Sequence, residues 1–397
     1  MTHAQTRTDV GIVADFLFQG GAEMVIDLMA ETFPQARLYS DVHDPATISL
    51  YPSIARARTE GRLALGWADR ILSTRLFRWA ATKGVTFYHY YWLYFLTAAF
   101  ERTQAHEVVL VSCAAQAKLV RLPRGARVIV YFHTPSRWLY PELVTAADLA
   151  SIPFPLRAMI GMLACVLRPL DRLGMKRLQR HDPVWLCNSQ YVRSKLRAIY
   201  GIDAAVLHPP VDVTRFSPHD RAPEDFFLYH GRITLQKRLD LCIDACLMAK
   251  RRLVISGQAV SVGLERQLKE RVARAEARDP GLRGLVTFLG RTDDSTLHGL
   301  FATCAALLFP QREDFGITPI EAMAAGVPVI AFRDGGALDY LRPQVNGVFF
   351  EEQTPGSLAE AIAHFDHASF DPTTVAASFG DLSRARFSRQ IEAMVGR

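Results

Sequence analysis

Short apolar runs, each followed by a helical pattern, alternate along this chain of 397 residues, and the alternation runs through twice. The run 10–16 leads into Gln19-Gly-Gly-Ala22 and a helix to Phe33. Further strands are predicted at 107–112, 127–132 and 184–187, each with helical pattern behind it. After His208-Pro-Pro210 the pattern restarts, with strands near Phe226 and at 253–256, 286–289, 305–309, 327–331 and 347–350. A parallel neighbour is reached by a crossover connection, usually a helix, so a sustained strand–helix alternation points to parallel pairing. The chain therefore reads as α/β, with two doubly wound parallel sheets. Its length exceeds what one ordinary core organises, which agrees with two domains. Prolines 209, 210 and 218 place the boundary within 205–217, giving domains 1–205 and 206–380. No internal sequence repeat or low-complexity tract is seen.

The densest chemistry lies in Glu313-Asp-Phe-Gly-Ile-Thr-Pro-Ile-Glu321, two carboxylates around a glycine that run into the small-residue helix Ala322-Met-Ala-Ala-Gly326. The preceding run Ala305-Ala-Leu-Leu-Phe-Pro310 suits a buried parallel strand, and Pro319 suits a first helical turn, where no backbone donor is needed. The loop then brings Glu313 and the amides of Phe315, Gly316, Ile317 and Thr318 to the C-terminal edge of a sheet. Amides at a helix start favour anionic oxygens. Glu313 repels a phosphate, so it fits neutral hydroxyls beside one, and Glu321 fits a second pair, as an acid does for ribose in dinucleotide folds. Phosphate flanked by two polyols describes a nucleotide sugar. The plainer reading makes Glu313 a solvated loop residue and Glu321 a charge complementing the helix dipole.

A second cluster follows the strand Phe226-Phe-Leu-Tyr-His-Gly231: Arg232, then Lys237 opening a helical run. Two cations on a strand-to-helix loop can neutralise a diphosphate, Arg by a planar fork and Lys as a point charge. Taken alone, such a pair reads equally as a basic surface loop.

His230-Gly-Arg232 with Lys237, then Glu313 to Glu321 with Gly326-Val-Pro-Val-Ile330 behind it, resemble the retaining GT-B glycosyltransferases of family GT4. Further matches are Gly20-Gly21-Ala-Glu23, Cys187-Asn-Ser189, His208-Pro-Pro-Val-Asp212 and Val345-Asn-Gly347, so the resemblance spans nearly the whole length in the expected order. It implies the GT-B fold, two Rossmann-like domains facing a central cleft, with residues 381–397 forming a helix that crosses back to the first domain. It implies net retention at the anomeric carbon by same-face attack, with the departing phosphate helping to deprotonate the acceptor. The resemblance also implies that Gly20 and Gly21 let the first domain's backbone approach the phosphates. In many GT4 enzymes a histidine stands at the end of the strand matching 128–132, close to the transferred sugar, and here that residue is His133. The segment His133-Thr-Pro-Ser-Arg-Trp138 is similar to bacterial mannosyltransferases acting on lipid-linked glycans, which implies GDP-mannose as donor and a glycan or lipid-linked acceptor. On its position alone, a histidine at a strand end is more often structural.

No Asp-x-Asp motif occurs, so a divalent metal clamped on the diphosphate is not indicated. Arg232, Lys237 and loop amides would stabilise the leaving phosphate instead, and neither metal nor cofactor is expected beyond the nucleotide-sugar donor. Two departures from the family pattern stand out: Asp339 near Gly335-Gly336, where a glutamate is common, and a single glycine in Ser256-Gly-Gln-Ala259. A UDP-sugar-dependent glucosyl- or N-acetylglucosaminyltransferase, a GT-B epimerase and a nucleotide-sugar-binding scaffold are the alternatives. A nicotinamide enzyme is disfavoured, because no Gly-x-Gly-x-x-Gly follows the first strand.

Charge is unevenly shared. Residues 1–205 carry 24 Lys+Arg against 16 Asp+Glu, net +8, while the remainder carries 22 against 24, net −2. The excess gathers at Arg56, Arg58, Arg62, Arg70, Arg75, Arg78 and Lys83, before the aromatic run 87–95, and at Arg168, Arg172, Lys176, Arg177 and Arg180. Cations beside interfacial aromatics suit an anionic membrane face, and a solvated helix over an aromatic core is the plainer reading. No nucleic-acid-binding motif accompanies the charge. The run 84–100 falls short of a spanning helix, no signal peptide is read at the start, and six cysteines without a CxxC spacing read as buried reduced thiols. These features predict a cytoplasmic enzyme, peripheral on the inner face of the membrane.

Overall fold

The computed structural model describes residues 8–18, 20–44, 48–72, 98, 101–140, 143, 154–218 and 224–396. The chain divides into two compact units, one of residues 1–144, 153–210 and 384–397, the other of residues 145–152 and 211–383. The aromatic run 87–95, with Arg75, Arg78 and Lys83, lies outside the described residues.

In the first unit the strands are β1 (Val10–Leu17), β2 (Arg37–His43), β3 (Leu63–Leu65), β4 (Val108–Cys113), β5 (Arg127–Phe132), β6 (Val184–Cys187) and β7 (Ala205–Val206). Its helices include α1 (Gly21–Thr32), α2 (Pro52–Thr59), α3 (Trp67–Leu72), α4 (Phe154–Gln179) and α5 (Gln190–Tyr200). The strands form one parallel sheet in the order β3-β2-β1-β4-β5-β6-β7. Both faces are covered, as the apolar runs require: on β5, Ile129 and Tyr131 point into one core, and Val128, Val130 and Phe132 into the other. Local signals set the helix ends. Ser189 caps α5 by accepting from the Val192 amide at 3.0 Å, and Gly201, at φ +67°, ends it.

The second unit holds β8 (Phe226–His230), β9 (Arg252–Ser256), β10 (Val286–Gly290), β11 (Ala306–Phe309), β12 (Val329–Phe332) and β13 (Gly347–Phe350). Helices α6 (Leu239–Met248), α7 (Val262–Arg278), α8 (Asp294–Thr303), α9 (Thr318–Ala324), α10 (Pro355–Ala363) and α11 (Pro372–Ala377) accompany them. The sheet is again parallel, in the order β10-β9-β8-β11-β12-β13. The last helix, α12 (Arg384–Val395), belongs to the first unit. It buries Phe387, Ile391 and Val395, and Phe387 meets the Tyr131 ring edge-on at 5.7 Å.

In each sheet the strand order reverses beside the unit's first strand, between β1 and β4 and between β8 and β11. Loops leaving the carboxyl ends of two such strands diverge to opposite faces and open a crevice, the usual ligand position in an open α/β sheet. β2, β3 and β7 were not foreseen. β2 carries Arg37, Ser40, Asp41 and His43 among its apolar residues, and β3 and β7 are only three and two residues long.

Candidate functional site

The reversal in the second unit brings the loops after β8 and β11 together. Lys237, in the turn Leu235–Lys237, meets Glu313 of the β11 loop, and their side chains pair with about a quarter of their surface exposed. An ion pair this accessible contributes only about 0–1 kcal/mol, so an incoming anion can compete for the lysine at little cost. Arg232 is exposed and makes no ion pair among the described residues. The amides of Gly316, Ile317 and Thr318 have no hydrogen-bond partner among the described residues. Phe315 contributes its backbone only, since its ring is buried edge-on against Tyr340 and its carbonyl accepts from the Tyr340 hydroxyl at 3.0 Å.

Glycines fix this loop. Gly316 adopts φ +89°, and a Cβ there would meet the Phe309 ring and the Tyr340 hydroxyl. Gly335 and Gly336 lie against the backbone of residues 313–315, where any Cβ would collide, and the Gly336 amide donates to the Glu313 carbonyl at 2.8 Å. The diglycine after β12 thus positions Glu313, a role the sequence reading did not give it. Likewise the single glycine of the β9 loop, Gly257, stands where a Cβ would strike the Gly231 carbonyl.

Glu321 is half-buried on α9, and its carboxyl has no hydrogen-bond partner among the described residues. Burial raises its pKa; Arg215 opposes that, while Asp294 and Asp212 add to it. Arg215 pairs with Asp294 at 2.6 Å. His230 closes the other side of the crevice: its Nδ1 meets Ser256 Oγ at 2.9 Å, and Ser256 Oγ meets Thr292 Oγ1 at 2.7 Å. Burial pushes the imidazole down to about 4, so it is neutral at physiological pH. Behind the lysine, Arg238 adopts φ +50° and forks onto Asp240 while donating to Gln353 at 3.2 Å, and Gln353 donates to the Pro310 carbonyl at 2.9 Å. The Lys237 loop and the Glu313 loop are therefore tied by side chains as well as by the sheet.

In the first unit, His133 stands at the carboxyl end of β5 as expected. Its Nε2 lies 2.8 Å from Ser112 Oγ, its carbonyl accepts from Asn188 Nδ2 at 2.9 Å, and its ring meets Tyr131 edge-on. The loop behind it is anchored by a buried network in which Lys118 Nζ lies 2.7 Å from Asp171 and 2.6 Å from Ser136, and Asp171 accepts from Tyr140 and Tyr200. Gly20 precedes α1. Its backbone is extended, its amide donates to the Tyr51 hydroxyl at 3.0 Å, and a Cβ would press on the Glu23 carboxylate, so the residue makes room for Glu23. Gly21 opens α1.

Residues 212–369 match the model of the family described as glycosyl transferases group 1. The match falls within the second unit. Human alpha-1,3/1,6-mannosyltransferase ALG2 is 29% identical over 45% of this chain and 49% of its own length. The D-inositol 3-phosphate glycosyltransferase of Mycolicibacterium vanbaalenii is 26% identical over 60% of this chain and 57% of its own. The chain thus spans about half the length of these curated relatives. The crystal structure of HepE from Anabaena in complex with UDP superposes with a TM-score of 0.66 at 17% identity, covering 98% of this chain and 99% of that one. Sucrose-phosphate synthase from Thermosynechococcus elongatus gives 0.62 at 16% identity, covering 98% of each. The fold is GT-B, and within the matched residues lie Arg232, Lys237, Glu313, Glu321 and the Gly316–Thr318 amides.

Proposed function

We propose that the protein is a retaining glycosyltransferase that moves a hexose from a nucleotide sugar, GDP-mannose first among the candidates, to a glycan or lipid-linked acceptor reached at an anionic membrane. The observation that carries this reading is the crevice after β8 and β11, where a lysine, a carboxylate and three amides without a partner among the described residues stand together. Arg232 and Lys237 neutralise the diphosphate, and the Gly316–Thr318 amides add donors where charge builds on the leaving phosphate. Glu313 accepts from sugar hydroxyls, Glu321 from the ribose. His133 holds the sugar or steadies positive charge developing on it. No step requires a metal, so activity should persist in a chelator. The name of ALG2 supports mannose. A UDP-sugar donor is the second reading, and HepE, whose crystal structures include one with UDP-glucose, supports it.

Calorimetric titration with GDP-mannose, UDP-glucose and UDP-GlcNAc tests the proposal. One donor should bind at least tenfold more tightly than the others, and proton NMR of the product should show a retained anomeric configuration. Failure of all three to bind, or an inverted product, would overturn it.

A further inference from the structure

Helix α4 has two faces of different character. On one, Ala164, Leu167, Asp171, Met175 and Leu178 are buried. On the other, Met162, Val166, Pro169, Leu173 and Lys176 follow one another at spacings of four and three, with Ala158 and Cys165 beside them, and all are exposed. Met162 is 67% and Val166 69% exposed. A helix that meets only water carries polar residues on its outer face, so an apolar ridge there calls for a partner.

Charge identifies the partner. Arg157, Arg172, Lys176 and Arg180 are exposed along the same helix and its C-terminal turn. The only acid within α4, Asp171, is buried against Lys118. Within α4 the ridge therefore has cations along it and no exposed carboxylate, the next acid being the exposed Asp182 beyond its C-terminal turn, within a sequence half of net charge +8. Such a surface matches the headgroup zone of an anionic bilayer, where apolar side chains sink into the acyl boundary and lysine and arginine meet lipid phosphates. A second copy of the helix would instead bring like charges together. No helix of the described residues is long and apolar enough to cross a membrane, so the geometry is that of a helix lying in the surface. The segment from Met162 to Leu173 covers roughly 17 Å at 1.5 Å per residue, enough for a shallow lengthwise contact.

We propose that the Met162–Val166–Leu173 face of α4 seats the protein on an anionic lipid surface. This deepens the functional reading by naming the surface from which a lipid-linked acceptor would be met, but it stands on lipid binding alone. Cys165 supplies the probe: it is exposed on this face, and the other five cysteines are buried. An environment-sensitive fluorophore on Cys165 should shift to the blue and lose several-fold in iodide quenching with phosphatidylglycerol vesicles, but not with pure phosphatidylcholine, and 0.5 M salt should reverse the change. Flotation of unlabelled protein should follow the same pattern.

The M162Q/V166Q double variant should lose at least tenfold in vesicle partition, as should R172E/K176E, with melting temperature and nucleotide affinity unchanged. Vesicle binding without a spectral shift, or full binding by M162Q/V166Q, would overturn the assignment. So would a shift that depends on protein concentration in the absence of lipid, which would point to a second copy. Loss of donor binding with vesicle binding intact would count against the catalytic proposal and leave this one standing.

Discussion

The crevice beside β1 and the crevice beside β8 share a strand order but use their backbone donors in different ways. In the first unit the loop after β4 gives the amides of Ala114, Ala115 and Ala117 to the buried carboxylate of Asp15, and the Gly20 amide goes to Tyr51. In the second, the corresponding loop after β11 leaves the amides of Gly316, Ile317 and Thr318 without a partner among the described residues and sets an accessible Lys237–Glu313 pair beside them. One unit fills these backbone donors with a carboxylate of its own; the other leaves them open among the described residues, as the proposed diphosphate site requires. Two similar sheets thus differ in what their loops leave open, and the proposed roles divide accordingly, phosphate recognition falling to the second unit and contact with the sugar to His133 of the first.

The division of labour breaks most visibly at His133. On the proposed reading, His133→Ala lowers turnover by roughly a hundredfold or more, the scale seen for lost transition-state stabilisation, and leaves nucleotide affinity near wild type. Full turnover in the variant would make the histidine a partner of Ser112 and nothing more. On the other side, Lys237→Ala removes a charge-assisted contact worth about 1.5–3 kcal/mol, so the nucleotide dissociation constant should rise about tenfold or more. Because the lysine is already paired with Glu313, a result at the low end is expected. Unchanged affinity would mean that the open amides, and not the cation, carry recognition.

How much of this was legible in the sequence follows from the kind of signal each feature leaves. The parallel strands showed themselves because strands buried on both faces are nearly continuous apolar runs, as in Ala306–Phe309. β2 did not, because Arg37, Ser40, Asp41 and His43 break its apolar run. Glu313 and Glu321 were legible from their spacing around Gly316. The pairing of Lys237 with Glu313 was not, since it depends on β8 lying next to β11, which is a matter of sheet order. Asp15, Lys118 and Asp171 belong to no motif, and only the folded chain reveals what they hold. Cys165 was placed with the buried thiols, because an apolar helix pattern does not say which of its faces is covered.

The two glutamates sharpen the comparison within the second crevice. Glu321→Ala should weaken the free nucleotide several-fold, since the ribose is part of it, while Glu313→Ala should mainly lower turnover of the complete donor. Equal losses of nucleotide binding in both variants would merge the two roles. The raised pKa of Glu321 adds a pH arm. If the ionised carboxyl is the better acceptor for ribose hydroxyls, nucleotide affinity should fall as acidification protonates it, and that fall should disappear in Glu321→Gln.

The smallest effect belongs to the first unit, whose edge is crowded with acids of its own. Asp41 is 5% exposed, and its Oδ2 has no hydrogen-bond partner among the described residues. Burial, with Glu101 and Asp15 adding to it, pushes its carboxyl up to about 8. Between the ordinary carboxylate range and that value, the folded chain holds a proton that the unfolded chain has released. Stability contributed at this site is therefore full in acid and is lost as pH rises towards 8. Asparagine keeps the shape and has no proton to lose. Asp41→Asn should accordingly melt a few degrees above the parent at pH 8, with the gap narrowing at pH 5, in a thermal-shift series run at constant ionic strength. A gap of the same size at both pH values would show that Asp41 does not titrate in this window, and a variant less stable at pH 8 would mean that the ionised carboxylate is the form the first unit's edge is built to hold.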